Sequence, residues 1–185
     1  MFSTDRVRLR PQTPDDAELD HQIWSDPDTY LIVSDAPFVP KSLEAVKAKI
    51  EKETTEPDSG AKFVAFVVET TADATALGTC ALFGMDNFNG YAQLGIVLLP
   101  ASRGHGYGRD ALSLLCLYGF RMRNLRRIEL STFATNRGMR KTAEACGFVH
   151  EGTQRQRSYN GEGYGDIAIY GLLRGEWNDG GQKPA

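Results

Sequence analysis

Arg103-Gly104-His105-Gly106-Tyr107-Gly108 is the stretch that decides how this chain reads. It follows a hydrophobic run, Leu94-Gly-Ile-Val-Leu-Leu-Pro100. It precedes a segment with helical spacing, in which Ala111, Leu114, Leu115, Tyr118 and Met122 fall along one side of residues 107–122. A glycine-rich turn between a strand and a helix leaves backbone N–H groups free at the helix start, where the helix dipole favours negative charge. The glycines allow a tight turn and remove side chains that would hold a ligand away from the backbone. Arg103 adds a charged donor. A phosphate or pyrophosphate is the ligand that suits such a loop, although a purely structural glycine turn has the same composition. A dinucleotide loop would need Gly-x-Gly-x-x-Gly, but Arg109 stands where the third glycine belongs, and the Gly-Lys-Ser/Thr of a P-loop is absent.

Upstream, the pattern predicts three successive strands, over residues 62–69, 77–83 and 91–99, separated by short polar turns. That is an antiparallel meander rather than a leading strand-helix-strand unit, which further argues against a dinucleotide fold. Before the meander, Arg6-Val-Arg-Leu-Arg10 alternates as a first strand. Thr13-Pro14-Asp15-Asp16 then opens a helix that runs to about Trp24 and stops at Asp26-Pro27. A loop carrying Tyr30, Asp35 and Phe38 leads to a second helix over residues 42–54. Downstream, a strand over 127–133, a helix over 137–145 and strands over 148–154 and 166–173 complete the pattern. Residues 178–185 read as a disordered tail, and residues 1–177 as one domain.

Composition agrees with one globular domain. The chain has 185 residues, 41% hydrophobic and 24% charged, enough to bury a full core. The longest apolar runs, 63–68 and 94–99, fall well short of the roughly 20 residues a membrane span needs. Charges in the first eight residues occupy the place where a signal peptide has its apolar centre, so the expected location is the cytoplasm, with no membrane partner. Cys80, Cys116 and Cys146 cannot all pair with one another and read as free thiols. His21, His105 and His150 lack zinc-motif spacing, and no metal is expected. The net charge of −3 argues against direct nucleic-acid binding. The charge is unevenly distributed: residues 1–60 hold 7 Lys and Arg against 13 Asp and Glu, whereas residues 103–141 hold 9 against 2. A basic segment beside the glycine loop suits a small polyanion.

The loop and four separated blocks together resemble the GNAT acyltransferase superfamily. Arg-x-x-Gly-x-Gly at Arg103 to Gly108 looks like its acetyl-CoA loop. Thr4-Asp-Arg-Val-Arg-Leu-Arg-Pro11 with Asp15-Asp16-Ala17 is similar to the opening of the ribosomal-protein alanine and spermidine acetyltransferase branch. Leu94 to Pro100 resembles the strand before the loop. Asn136 with Cys146-Gly147-Phe148 and Glu151-Gly152 resembles the following helix and strand, and Asp166 to Trp177 the closing segment. The resemblance covers roughly residues 4–177. It implies an α/β fold with a mixed central sheet of about seven strands flanked by about four helices.

It also implies an N-acetyltransferase that moves an acetyl group from acetyl-CoA directly to a primary amine: a peptide N-terminus, a polyamine or a small amine-bearing metabolite or antibiotic. On this resemblance Ile96, Val97 and Leu98 meet the pantetheine arm, and Arg103, Gly104, His105, Gly106, Tyr107 and Gly108 hold the pyrophosphate. Asn136, Arg140 and Lys141 come near the pantetheine or the phosphates. Two departures from the family stand out. Gln93 replaces the glutamate that many relatives carry before the Leu-Gly pair, and Ala143 replaces a tyrosine acid seven residues after Asn136. Ser131, Thr132 and Tyr159 remain as candidates for the acid. Tyr30, Asp35, Phe38 and Asp166 are candidates for acceptor contacts. A module that binds acyl-CoA and regulates a partner without catalysis is the alternative reading, and a homodimer is among the open assembly states.

Overall fold

In the computed structural model, residues 2–34, 37–55 and 62–177 are described. Asp35 and the 178–185 tail lie outside them. The strands are β1 (Phe2–Ser3), β2 (Val7–Pro11), β3 (Phe63–Thr70), β4 (Ala76–Asp86), β5 (Tyr91–Leu98), β6 (Arg127–Phe133), β7 (Val149–Tyr159) and β8 (Tyr164–Leu173). The helices are α1 (Ala17–Trp24), α2 (Pro27–Val33), α3 (Leu43–Thr55), α4 (Tyr107–Leu117) and α5 (Arg137–Ala145). All eight strands form one sheet in the order β1-β2-β3-β4-β5-β6-β8-β7. Neighbours are antiparallel except β5 and β6, which run parallel.

The period of two along each strand gives the sheet two different faces. Phe66 and Val68 on β3, Cys80 and Leu82 on β4, and Ile128 and Leu130 on β6 share one core cluster with Ala111, Leu112 and Leu115 of α4. Phe63 and Ala65, Thr79 and Ala81, Gln93 and Gly95, and Glu129 and Ser131 occupy the alternate positions and line a cavity instead. The helices α1 and α3 pack on each other over a small separate cluster of Ala17, Val46 and Ile50. Cys80 and Cys116 are buried, Cys146 is half-buried, and all three are free thiols.

The expected meander is present, and residues 127–133 and 137–145 form the predicted strand and helix. The sheet gains a strand because Phe2 and Ser3 pair with Leu9 and Arg8. A helix appears where a loop was expected after Asp26-Pro27: the Asp26 carboxylate accepts the Thr29 N–H at 3.2 Å, and Pro27 sits in the first turn. The pair that reads as a stop is also a helix start. The 107–122 helix changes character at Tyr118, where one wide turn (Tyr118–Met122) follows the α-helix. That wider turn rotates the later residues, so Met122, read as part of the apolar side, is 59% exposed. No helix of the described residues is long and apolar enough to cross a membrane.

Candidate active site

The site begins where β5 and β6 separate. Their parallel ladder holds only three pairs: Tyr91 with Arg127, Ala92 with Ile128, and Gln93 with Glu129. From Leu94 to Leu98, β5 pairs with β4 alone, so backbone groups on its other edge face the gap. A cavity of about 1190 Å³ opens there, lined by Gln93, Gly95 and Val97 of β5, Glu129 and Ser131 of β6, and Asp20 of α1. Among the described residues no β5–β6 pair continues beyond Gln93, and the β5 backbone past it offers a ready-made donor and acceptor edge.

Directly after β5, the chain turns through Pro100–Ser102 into the glycine loop. Gly104 and Gly106 have φ of +82° and +83°, the left-handed region that glycine alone adopts without strain. A Cβ at Gly104 would meet nothing within 4 Å, so the space beside the backbone is open. The first intrahelical bonds of α4 run from Arg109 and Asp110 to the Gly106 carbonyl. The N–H groups of Tyr107 and Gly108 therefore stand before the first helical bond, the position from which an anion is bound. Gly108 packs close, with Leu98 and Thr142 side-chain carbons at 3.7 and 4.0 Å from where its Cβ would be. Arg103 is exposed and its Nε donates to the Leu98 carbonyl at 2.9 Å, which ties the loop to the end of β5. The loop and the strand edge together fit a ligand that has a diphosphate and an extended arm able to pair with a strand.

A residue that sequence reasoning passed over braces this loop. Arg6 Nε donates to Asp110 Oδ2 at 2.9 Å, Nη1 donates to the His105 carbonyl at 3.0 Å, and Nη2 lies 2.7 Å from Asp110 Oδ2. The guanidinium also lies over the Tyr107 ring, 5.8 Å from its centroid. Period-two alternation marked Arg6 only as a strand residue, and no local signal linked it to a loop 100 positions away.

Ile96, Val97, Ser131, Thr132, Asn136 and Tyr30 all border the cavity. Ser131 is exposed to it, whereas Thr132 is only 7% exposed. Asn136 caps α5, its Oδ1 accepting the Met139 N–H at 3.0 Å, which leaves its amide nitrogen for other partners. Tyr30 donates its hydroxyl to the Pro37 carbonyl and meets Phe38 edge-on, with ring centroids 5.2 Å apart. Three sites expected from sequence are drawn into structural roles. Tyr159 does not line the cavity, because its hydroxyl turns into the β7–β8 hairpin and donates to the Gly161 carbonyl at 2.7 Å. Asp166 accepts the Gln156 N–H at 2.9 Å, satisfying an irregularity in β7. Arg140 donates to the Tyr170 hydroxyl at 3.0 Å and the Ala134 carbonyl at 3.2 Å. Lys141 is exposed on α5, and Ala143 is fully buried in the core.

Among the described residues three carboxylates line the cavity, Asp20, Glu53 and Glu129, beside the cations Lys41, Lys49 and Arg157, and none of the three was singled out from the sequence. Glu129 stands in register with Gln93 on the cavity face, where the missing acid would have been sought, and Arg127 Nε donates to its Oε1 at 2.7 Å. Arg127 in turn holds Glu151, with Nη1 2.7 Å from Oε1. Asp20 is only 7% exposed. Burial is the dominant influence and pushes its carboxyl above the usual value, with Gln12 and the Lys49 charge pulling the other way without cancelling it.

The model of the acetyltransferase (GNAT) domain family matches residues 6–149. Across 174 residues the chain is 28% identical to an uncharacterized N-acetyltransferase, p20, of Bacillus licheniformis, covering 94% of this chain and 96% of that one. Across 105 residues it is 29% identical to a putative ribosomal N-acetyltransferase, YdaF, of Bacillus subtilis, covering 57% of each. The fold matches the crystal structure of spermidine N-acetyltransferase from Vibrio cholerae in complex with CoA and spermine. There the TM-score is 0.83 at 21% identity, covering 94% of this chain and 98% of that one.

Proposed function

We propose, from the premise that the chain belongs to the acetyltransferase (GNAT) domain family and is an acetyl-CoA-dependent N-acetyltransferase, that its acceptor is a primary alkylamine, cationic in solution. The observation that carries this reading is Glu129 on the cavity wall beside the parted strands; Asp20 and Glu53 line the same cavity, as do the cations Lys41, Lys49 and Arg157. A carboxylate at that place attracts an ammonium group, and Glu129 sits beside the strand edge that would face the thioester. Supporting it is the acidic balance of residues 1–60, 7 Lys and Arg against 13 Asp and Glu, from which α1 to α3 are drawn.

The residues divide the work as follows in this proposal. Tyr107 and Gly108 N–H groups and the exposed Arg103 hold the diphosphate. The free edge of β5 at Ile96, Val97 and Leu98 pairs with the pantetheine arm, and Asn136 stands on the opposite side of the gap. Acetyl-CoA supplies an activated acetyl carbonyl. An alkylammonium with pKa near 10.4 is neutral in only about one part in 10³ at pH 7. The Glu129 carboxylate, alone or through a water, takes the proton that must leave before the nitrogen can act as a nucleophile. Ser131 is the exposed hydroxyl nearest in sequence to Glu129 on the same face, and in this reading it orients the acceptor or returns a proton.

The test compares acceptors of opposite charge. Thiol release from acetyl-CoA is followed with alkylamines (a polyamine, an amino sugar and a peptide N-terminus) and with arylamines that are neutral at pH 7. Preference for the alkylamines supports the reading; equal or better turnover of arylamines contradicts it.

A further inference from the structure

We propose that Arg6 is a positioning residue for the pyrophosphate loop, and that its task is to neutralise Asp110 while it holds the loop backbone in shape. The inference rests on the reading that residues 103–108 bind the diphosphate of coenzyme A. The first turn of α4 holds a conflict. A carboxylate there, Asp110, favours the helix because it faces the positive end of the dipole. The same carboxylate repels the anion that the free N–H groups at that end are placed to bind.

Arg6 resolves the conflict from outside the helix. Its guanidinium contacts Asp110 Oδ2 through both Nε and Nη2, at 2.9 and 2.7 Å. Its remaining nitrogen, Nη1, reaches the His105 carbonyl between the two left-handed glycines, at 3.0 Å. One side chain thus cancels the unwanted charge and fixes the peptide on which the loop's curvature depends. The contact also bears on position 106, where φ of +83° already favours glycine. A Cβ on Gly106 would lie 3.0 Å from Arg6 Nη2 and 3.4 Å from Nη1, and would press on the guanidinium. Arg6 is half-exposed and comes from the start of the chain, so the cradle is closed by a residue outside the segment that builds it.

Titration calorimetry of the full chain with coenzyme A tests this. Arg6→Gln uncovers one negative charge near the diphosphate and is expected to weaken binding roughly tenfold at low salt, and much less at 0.5 M salt, where charge interactions beyond a few ångströms are screened. Asp110→Asn alone leaves Arg6 with a spare positive charge and is expected to tighten binding by a small factor. The double variant Arg6→Gln/Asp110→Asn is expected to recover most of the loss. Arg6→Lys keeps the charge without the fork and is expected to fall between wild type and Arg6→Gln. If the double variant binds as weakly as Arg6→Gln at both salt concentrations, or Asp110→Asn weakens binding, the neutralising role is overturned. Should Gly106→Val lose coenzyme A while Arg6→Gln does not, the proposal for Arg6 fails alone. Unchanged affinity in both would instead overturn the loop assignment beneath it. Thermal melts of each variant confirm a folded sample, and the Asp110→Asn result stands even if Arg6→Gln does not fold.

Discussion

Gln93 on β5 stands in register with Glu129 on β6 in the last pair before the two parallel strands separate, and both side chains face the cavity. A carboxylate thus stands one strand over from Gln93, on the same cavity wall. In a parallel pair the two positions share a face of the sheet, so a proton-accepting group can move from one strand to its neighbour without leaving the site. Arg127, bonded to Glu129, fixes its direction.

That relationship makes Glu129→Gln the most informative substitution in the cavity. It is expected to lower kcat/KM for the best alkylamine by about 10²- to 10³-fold at pH 7, the usual contribution of a positioned base. Coenzyme A affinity, measured by calorimetry, is expected to stay within about twofold of wild type if Glu129 touches only the acceptor side. Adding Gln93→Glu to Glu129→Gln restores a carboxylate on the same face and is expected to recover part of the loss. A Glu129→Gln enzyme with wild-type kinetics removes this residue from the reaction.

Asp20 carries a pH prediction for stability. Burial raises its carboxyl in the folded state above the ordinary value. A raised acid binds its proton more tightly when folded, so stability falls as pH climbs from the unfolded value through the folded one, and ionised Asp20 weakens the fold at neutral pH. Asp20→Asn is therefore expected to raise the melting temperature at pH 7 while raising KM for the alkylamine. Thermal melts at pH 4 and pH 7 check the first half: the variant's advantage belongs at pH 7 and shrinks at pH 4.

Glu69 predicts the opposite slope. It is 2% exposed and sits between Arg8 and Arg10, which both donate to it, the latter through Nε at 2.8 Å. Burial opposes its ionisation, yet the two arginines outweigh burial and hold the carboxyl below its ordinary value. A depressed acid contributes stability that is full above the unfolded pKa and is lost as pH falls through the folded one. Glu69→Ala is expected to cost about 2 kcal/mol in urea denaturation at pH 7, since it takes the carboxylate from the partly buried Arg8 and leaves Arg10 with Asp16 alone. Its deficit relative to wild type is expected to narrow as pH drops below about 4.5, the ordinary glutamate value.

Tyr170 separates structural from ligand-binding arginines. Its ring is fully buried, and its hydroxyl accepts from Arg140 Nε and donates to Glu144 Oε1, each at 3.0 Å. Tyr170→Phe is expected to cost about 1–2 kcal/mol of stability for the hydrogen bonds lost. Coenzyme A affinity is expected to remain unchanged, because Arg140 braces α5 against β8 instead of meeting phosphate. A large loss of affinity would return Arg140 to the phosphate site.

Much of this was readable in the chain itself, and the exceptions have identifiable causes. The strands 63–70, 76–86 and 91–98 announced themselves through strand formers broken by polar turns, and the glycine loop through its position between a strand and a helix. Local patterns report local structure. They were silent on Arg6, whose partners lie about 100 residues away, and on Glu129, which acquires its place only through register with Gln93. They gave no sign of the long β7–β8 hairpin that holds Tyr159: residues 155–158 are polar and, apart from Ser158, exposed, so no alternation marks the end of β7. At Asp26-Pro27 one dipeptide encodes both an end and a beginning, and only the chain that follows decides between them.

The account stands most directly on amine-dependent thiol release from acetyl-CoA by the purified chain. It predicts saturable release with alkylamines, lost in Glu129→Gln while that variant still binds coenzyme A. Binding of coenzyme A with no release for any amine, in the wild-type chain, would contradict it.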